Sequence, residues 1–195
     1  MPPTQQRAVE RRTHIIATAV DVVAEVGYHQ ASFAKIVERG GLSSPRLISY
    51  HFTNREALMT EALAYVVEQA QAHMHPRIAA AMTVQEKLAA YILGNLDFLE
   101  TNPTCAIAAV QIVANLPRAE GDQTQGDTSV RLLEQLFTDG QAAGEMRHFD
   151  NRVMAVTLRA AIDAAATGID RANLAHHAEE LVEIFRLATT VEVQS

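Results

Sequence analysis

The 195 residues carry 16 basic against 23 acidic side chains and are nearly half apolar, enough material for a sizeable core. Nine glycines, six prolines and no tryptophan, in a chain rich in alanine, leucine, valine and glutamate, argue against a sandwich or barrel and for an all-α protein. The longest apolar stretch, Val153 to Ile169, is broken by Arg159 and Asp163, and the first residues hold no apolar secretory segment. Neither a membrane span nor export is therefore expected. Cys105 is the single cysteine, which excludes an internal disulfide and fits a reducing cytoplasm. Such a thiol is more often a small packing residue than a reactive one.

The acidic balance speaks at first against nucleic acid, but it is unevenly spread. Residues 1–55 hold seven basic and four acidic groups, while the remainder holds nine and nineteen. A basic head on an acidic body places phosphates at the head.

From Arg11 to Val26, Ile15, Ala19, Val22, Val23 and Val26 recur at spacings of three and four, predicting an amphipathic helix that Gly27 stops. Ser32 is placed to cap a second, short helix with Phe33, Ile36 and Val37 on one face, ended at Gly40-Gly41. Ser43 or Ser44 caps a third, with Pro45 in its first turn and its end near Phe52. Thr53 or Asn54 caps a fourth, which passes through Leu58, Leu63, Val66 and Val67 to a break expected near His75-Pro76. Further helices are predicted over 84–100, 103–115, 129–143, 151–168 and 174–193. The polar, glycine-bearing stretch between Pro117 and Thr128 reads as a mobile loop. A head at 1–58 and a body at 59–195 follow, with about nine helices in all.

Two short helices joined by a glycine turn and packed on a longer first helix make a helix-turn-helix, whose second helix fits a major groove. The run Gly27-Tyr28, Ser32-Phe33, Ile36-Val37, Gly41-Leu42-Ser43, Ile48-Ser49-Tyr50-His51-Phe52 and Arg55-Glu56-Ala57-Leu58 resembles the DNA-binding domain of the TetR family of regulators over roughly residues 11–60. The resemblance implies a three-helix DNA-binding domain followed by a helical ligand-binding and dimerisation domain. It implies that Ile48 and Phe52 bury against the first helix while Tyr50 and His51 face DNA, and that Ser32 and Arg55 hold phosphates. The interval from Gly41 to Phe52 is one residue longer than the usual family pattern, and Ser49 stands where an aromatic residue is common. Ser43, Ser44, Pro45 and Arg46 are thus all candidates at the reading tip. Arg46 is the first choice, because arginine pairs bidentately with guanine.

Arg7, Arg11 and Arg12 form either a tail of no consequence or an arm along the duplex. His73 with His75, and His176 with His177, lack the i, i+4 spacing of helical metal ligands and read as solvated or capping residues. Arg159 and Asp163, one turn apart, read as a structural pair. With no phosphate-cradling loop, metal cluster or nucleophile elbow in the sequence, a binding protein without cofactor is expected rather than an enzyme. The alternatives are a helical enzyme or carrier with an incidental motif, and a DNA-binding dimer without effector. The expected partners are double-stranded DNA, a second copy of the chain and a small-molecule effector, with repression relieved by that molecule. For the effector, Met82, Phe98, Cys105, Ile112, Leu136 and Met154 offer apolar lining and Asn95 and Gln111 polar groups. For the dimer, Ala161, Ala165, Leu181, Ile184 and Phe185 of the last two helices are the candidate contacts.

Overall fold

The structure, a computed structural model, describes residues 3–117, 124–168 and 173–191. Nine helices form among them: α1 Pro3–Val26, α2 Phe33–Gly40, α3 Pro45–His51, α4 Arg55–Ala80, α5 Val84–Thr101, α6 Pro103–Asn115, α7 Thr124–Ala142, α8 Asn151–Gly168 and α9 Leu174–Thr189. A 3-10 turn, Tyr28–Gln30, joins α1 to α2, and no strand occurs among the described residues. No helix among them is long and apolar enough to cross a membrane. The chain divides into two compact units, Met1–Gln69 with Asn102–Arg118, and Ala70–Thr101 with Ala119–Ser195. The boundary expected after residue 58 falls inside continuous helix, and α6 groups with the first helices, an association that sequence spacing does not reveal.

In the first unit α1 is the spine. Ile15, Ala19 and Val23 recur every four residues and are fully enclosed, as one face of a 3.6-residue helix requires. Both α2 and α6 pack on α1. Ser32 caps α2 as expected, its Oγ accepting the Lys35 N–H at 3.3 Å. Gly41 ends α2 at φ 58°, ψ 33°. A β-carbon there would meet nothing within 4 Å, so the left-handed backbone, rather than space, is what asks for glycine. Asn54, of the two candidates, caps α4: its Oδ1 accepts the Ala57 N–H at 2.7 Å.

In the second unit α5 packs against α7, α8 and α9, and α7 packs against α8. Phe137, fully buried, meets the Phe149 ring edge-on at 5.3 Å. Truncation of Phe137 to alanine is expected to cost about 3–5 kcal/mol, by loss of transfer energy and by the cavity left behind. A reversible denaturation curve measures it; a cost below about 1 kcal/mol would show that the site collapses. The connection from α7 to α8 fastens the end of α9, with Arg147 donating from its backbone to Thr189 O at 2.9 Å and from Nε to Ala188 O at 2.7 Å.

Several boundaries differ from expectation. The first helix starts at Pro3, not near residue 11, and α7 starts at Thr124, inside the expected loop; the rest of that loop, 118–123, lies outside the described residues. The break expected at Pro76 does not occur. Met74 and Ile78, four residues apart across Pro76, both pack into the core of the second unit, and that burial outweighs the lost backbone hydrogen bond. Position 72, whose carbonyl loses its helical partner, is exposed, so water can serve it. The C-terminal helix ends at Thr189, earlier than the expected 193, and 192–195 lie outside the described residues.

Candidate DNA interface

Helix α3 shows a clean division of faces. Ile48 is fully buried and Phe52 nearly so, which anchors the helix; Pro45, Arg46, Ser49 and Tyr50 are exposed. Positions i, i+1, i+4 and i+5 of a helix share one side, so these four form the outward face. Tyr50, 82% exposed, stands edge-on to the part-buried His51 at 5.2 Å. An aromatic residue so exposed, on a helix whose opposite side is sealed, is available to a partner. Ser44 begins the helix from an extended backbone without a side-chain capping bond, and Ser43 before it is exposed. The outward face therefore gathers Ser43, Pro45, Arg46, Ser49 and Tyr50, with Ser44 and His51 at its margins. Ser32 is also exposed; its oxygen caps α2, and its hydroxyl hydrogen remains free to donate.

The cations of the head fall into two groups. Arg12 pairs with Glu61 at 2.8 Å and lies 5.0 Å over the Phe52 ring, and Arg39 pairs with Glu25. Arg7, Arg11, Lys35 and Arg46 make no ion pair among the described residues, which leaves their charge to a polyanion. Arg7 and Arg11 stand one turn apart on an exposed, helical part of α1, a rod in place of a loose tail.

Arg55 is engaged with its own chain. Its Nε donates to Ala31 O at 3.0 Å, another guanidinium N–H donates to Tyr28 O, and the plane lies 4.1 Å over the Tyr28 ring. The side chain turns inward and ties the start of α4 to the 3-10 turn, because the carbonyls leaving that turn need donors. These contacts give the side chain a positioning role within the head. The charge sign at this position gave no hint of direction.

The expected effector lining is also revised. Met82 is 87% exposed between α4 and α5, so it lines no interior. Cys105, Gln111 and Ile112 lie on α6 in the first unit, whereas Asn95, Phe98, Leu136 and Met154 lie in the second. Ile112 is fully buried. Cys105 is half-buried, and burial together with the Asp21 carboxylate pushes its thiol up from the usual range, which keeps it protonated and unreactive. Two surface clefts have other walls. One of about 230 Å³ lies among Asp21, Glu25, Arg39 and Thr104 in the first unit, and one of about 220 Å³ among Gln85, Leu88, Val182 and Arg186 in the second. His73 pairs with Asp97 at 2.7 Å, and no group of three or more metal-ligating side chains gathers among the described residues.

Of the expected dimer contacts, Ala165, Leu181 and Phe185 are at most 5% exposed and belong to the core of their own unit. Ala161 packs against that core. Only Ile184 faces outward, at 54%. Beside it in sequence pattern stand Leu187 on α9 and Val153, Val156, Ala160 and Ala164 on α8, all exposed. The spacing 153, 156, 160, 164 was legible as a helical stripe but was obscured by the alanines around it.

Residues 15–62 match the family profile described as bacterial regulatory proteins, tetR family. The fatty acid metabolism regulator protein of Bacillus subtilis (strain 168) is 27% identical over 157 residues, which is 78% of this chain and 80% of that protein. The HTH-type transcriptional regulator BetI of Yersinia pestis (strain Pestoides F) is 30% identical over 95 residues, 47% of each chain. Among solved structures, the Bacillus subtilis regulator FadR, held in complex with stearoyl-CoA, superposes with a TM-score of 0.73 at 26% identity. The match covers 87% of this chain and 97% of that one. A TetR-family transcriptional regulator from Rhodococcus sp. shares the fold at a TM-score of 0.77 and 23% identity, over 90% and 98% of the two chains. With a family profile lying across α1–α4 and regulators of transcription among the relatives on both comparisons, residues 15–62 carry the DNA-binding domain of the tetR family of bacterial regulatory proteins, and the chain is a DNA-binding regulator of transcription rather than an enzyme.

Proposed function

We propose that the protein is a cytoplasmic repressor that binds a palindromic operator as a homodimer and is released by a small-molecule effector. Residues 1–58 bind DNA in this reading, and 59–195 bind the effector and form the dimer. The observation that carries the DNA part is the outward face of α3, where Arg46 is exposed and without an ion pair among the described residues while Ile48 and Phe52 fix the helix from behind. Ser43, Ser44, Pro45, Ser49, Tyr50, His51 and Ser32 surround it. Arg7, Arg11 and Lys35 add phosphate contacts. Dimerisation is supported by the exposed apolar side chains of α8 and α9, since soluble surfaces rarely leave such patches uncovered. A two-fold pair of reading helices matches an inverted repeat. An effector is supported by the Bacillus subtilis relative, whose structure holds an acyl thioester; compounds with a long apolar chain are the class to try first.

Selection from a random duplex pool tests the reading. An inverted repeat is expected, with half-site centres about one helical turn apart or a small multiple of it. On that site Arg46→Ala is expected to cost on the order of 1–3 kcal/mol and to relax preference at one position in each half-site, with a much smaller loss on unrelated duplex. A selected site without two-fold symmetry, or no preference at physiological salt, overturns the operator reading.

A further inference from the structure

We propose that Arg159, with Tyr91 and Asn95, forms a carboxylate-recognising site inside the second unit, specific for an organic acid with an apolar body. The proposal rests on the effector reading above and names the chemistry of that ligand. Arg159 lies on α8 with only 20% of its side chain exposed. One terminal nitrogen points inward and donates to the Tyr91 hydroxyl at 3.2 Å and to Asn95 Oδ1 at 3.3 Å. Tyr91 and Asn95, one turn apart on α5, are each only 9% exposed. The amide of Asn95 is fixed in turn, donating to Tyr91 O at 2.8 Å, so both acceptors are held before any ligand arrives. The remaining donors of Arg159, Nε at 3.0 Å and the other terminal nitrogen, both meet a single oxygen of Asp163.

That arrangement is unequal. A guanidinium mostly withdrawn from water needs a counter-charge, yet its carboxylate partner is 64% exposed and would be hydrated as well without it. An i, i+4 pair on a helix surface stabilises the helix only weakly, and for that purpose no buried tyrosine and asparagine are needed. Asp163 thus occupies the place of a carboxylate without using its geometry fully, since the planar fork of arginine offers two parallel bonds to two oxygens. An incoming carboxylate that took both would displace Asp163 into solvent at little cost. Asp163 is set off by about 60° around α8 from Ala160 but by only about 20° from Val156, so it stands at the border of the proposed dimer face, while the Arg159 guanidinium turns inward from it to Tyr91 and Asn95.

Room for the apolar body comes from Met74 and Gly94. Met74, 7% exposed, lies so close to α5 that a β-carbon on Gly94 would stand 2.8 Å from its Cγ. Asn95 Nδ2 also reaches its sulfur at 2.9 Å. Methionine is unbranched and readily repacked, and here it fills the groove that a glycine leaves open, directly beside the polar cluster. Moving it would leave its own apolar volume beside the core residues it now packs against. The ligand would then have its head on Arg159 and its chain where Met74 now lies.

Titration calorimetry of the full chain with decanoate, and with methyl decanoate as the uncharged match, tests the site below the concentration at which either aggregates. Wild-type protein is expected to bind decanoate at least tenfold tighter than the ester. Asp163→Asn removes the internal competitor and is expected to tighten decanoate several-fold, whereas Arg159→Gln abolishes the difference between acid and ester. Because Arg159→Gln leaves polar groups of the core without a donor, Asp163→Asn, with its exposed position, is the decisive variant. Equal binding of acid and ester, weaker binding by Asp163→Asn, or no decanoate binding by either protein overturns the site. Release of bound duplex is read in parallel. If methyl decanoate alone releases it, the carboxylate site fails and the effector reading stands. If decanoate binds through Arg159 and the duplex stays bound, the site stands and the effector reading fails.

Discussion

Replacing Leu181 with glutamate is expected to unfold the second unit, whereas the same change three residues on, at Ile184, leaves it folded and turns the protein into a monomer. Leu181 is 5% exposed and Ile184 54%, although both are large, apolar and on the same helix. A carboxylate at Leu181 would be sealed among the side chains of the core without a partner, at a cost on the order of 4 kcal/mol or more. Total stability of a domain is about 5–15 kcal/mol, so little native protein should remain at 37 °C. At Ile184 the carboxylate meets water in the isolated chain and changes stability by about half a kcal/mol at most. In a dimer closed over α8 and α9, it would face its own symmetry mate or an apolar neighbour. Sedimentation at micromolar concentration, with circular dichroism to check folding, separates the two. An Ile184→Glu protein that stays dimeric places the interface elsewhere, and a stably folded Leu181→Glu protein overturns the core role of Leu181.

Arg55→Ala should lower stability by about 2 kcal/mol, since charge-assisted hydrogen bonds to two backbone carbonyls and a stack on Tyr28 disappear together. DNA affinity should fall with it, through loss of the link between α4 and the 3-10 turn. The dependence of affinity on salt should keep its slope, because no phosphate contact has been removed. Arg46→Ala serves as the contrast, with folding unchanged and specificity reduced. A slope shallower by about one unit for Arg55→Ala, with an unchanged melting temperature, would falsify the positioning role and restore a direct phosphate contact.

Legibility in the sequence followed the range of the interactions. Ser32, Gly41, Pro45 and Asn54 act within their own turns, where a cap or a left-handed backbone depends on the residue itself, and the helix-turn-helix could be read from them. The burial of Ile48 and Phe52 followed from the family resemblance. Direction was not legible. Whether the guanidinium of Arg55 turns to phosphate or to the carbonyls of Tyr28 and Ala31 depends on where the 3-10 turn ends. Leu181 and Ile184 are equivalent as letters, and only the packing of α9 on α5 makes one of them core. The same holds for Pro76, a helix breaker by itself, which Met74 and Ile78 keep within α4. Met82 belongs to an apolar segment by composition, yet the connection between α4 and α5 leaves it in water. The Arg159 cluster joins residues 64 and 68 positions apart, a separation at which no local pattern operates.

The half-buried state of Cys105 has a practical consequence for watching this regulator at work. Its thiol, held protonated by burial and by the Asp21 carboxylate, reacts slowly with maleimides near neutral pH, since the thiolate is the nucleophile. A second cysteine introduced at exposed Ser49 would be modified first, without mutating the native one. One spin label or fluorophore per protomer, carried on the outward face of α3, then gives a two-label ruler in any dimer, and the distance between probes can be followed as decanoate is added.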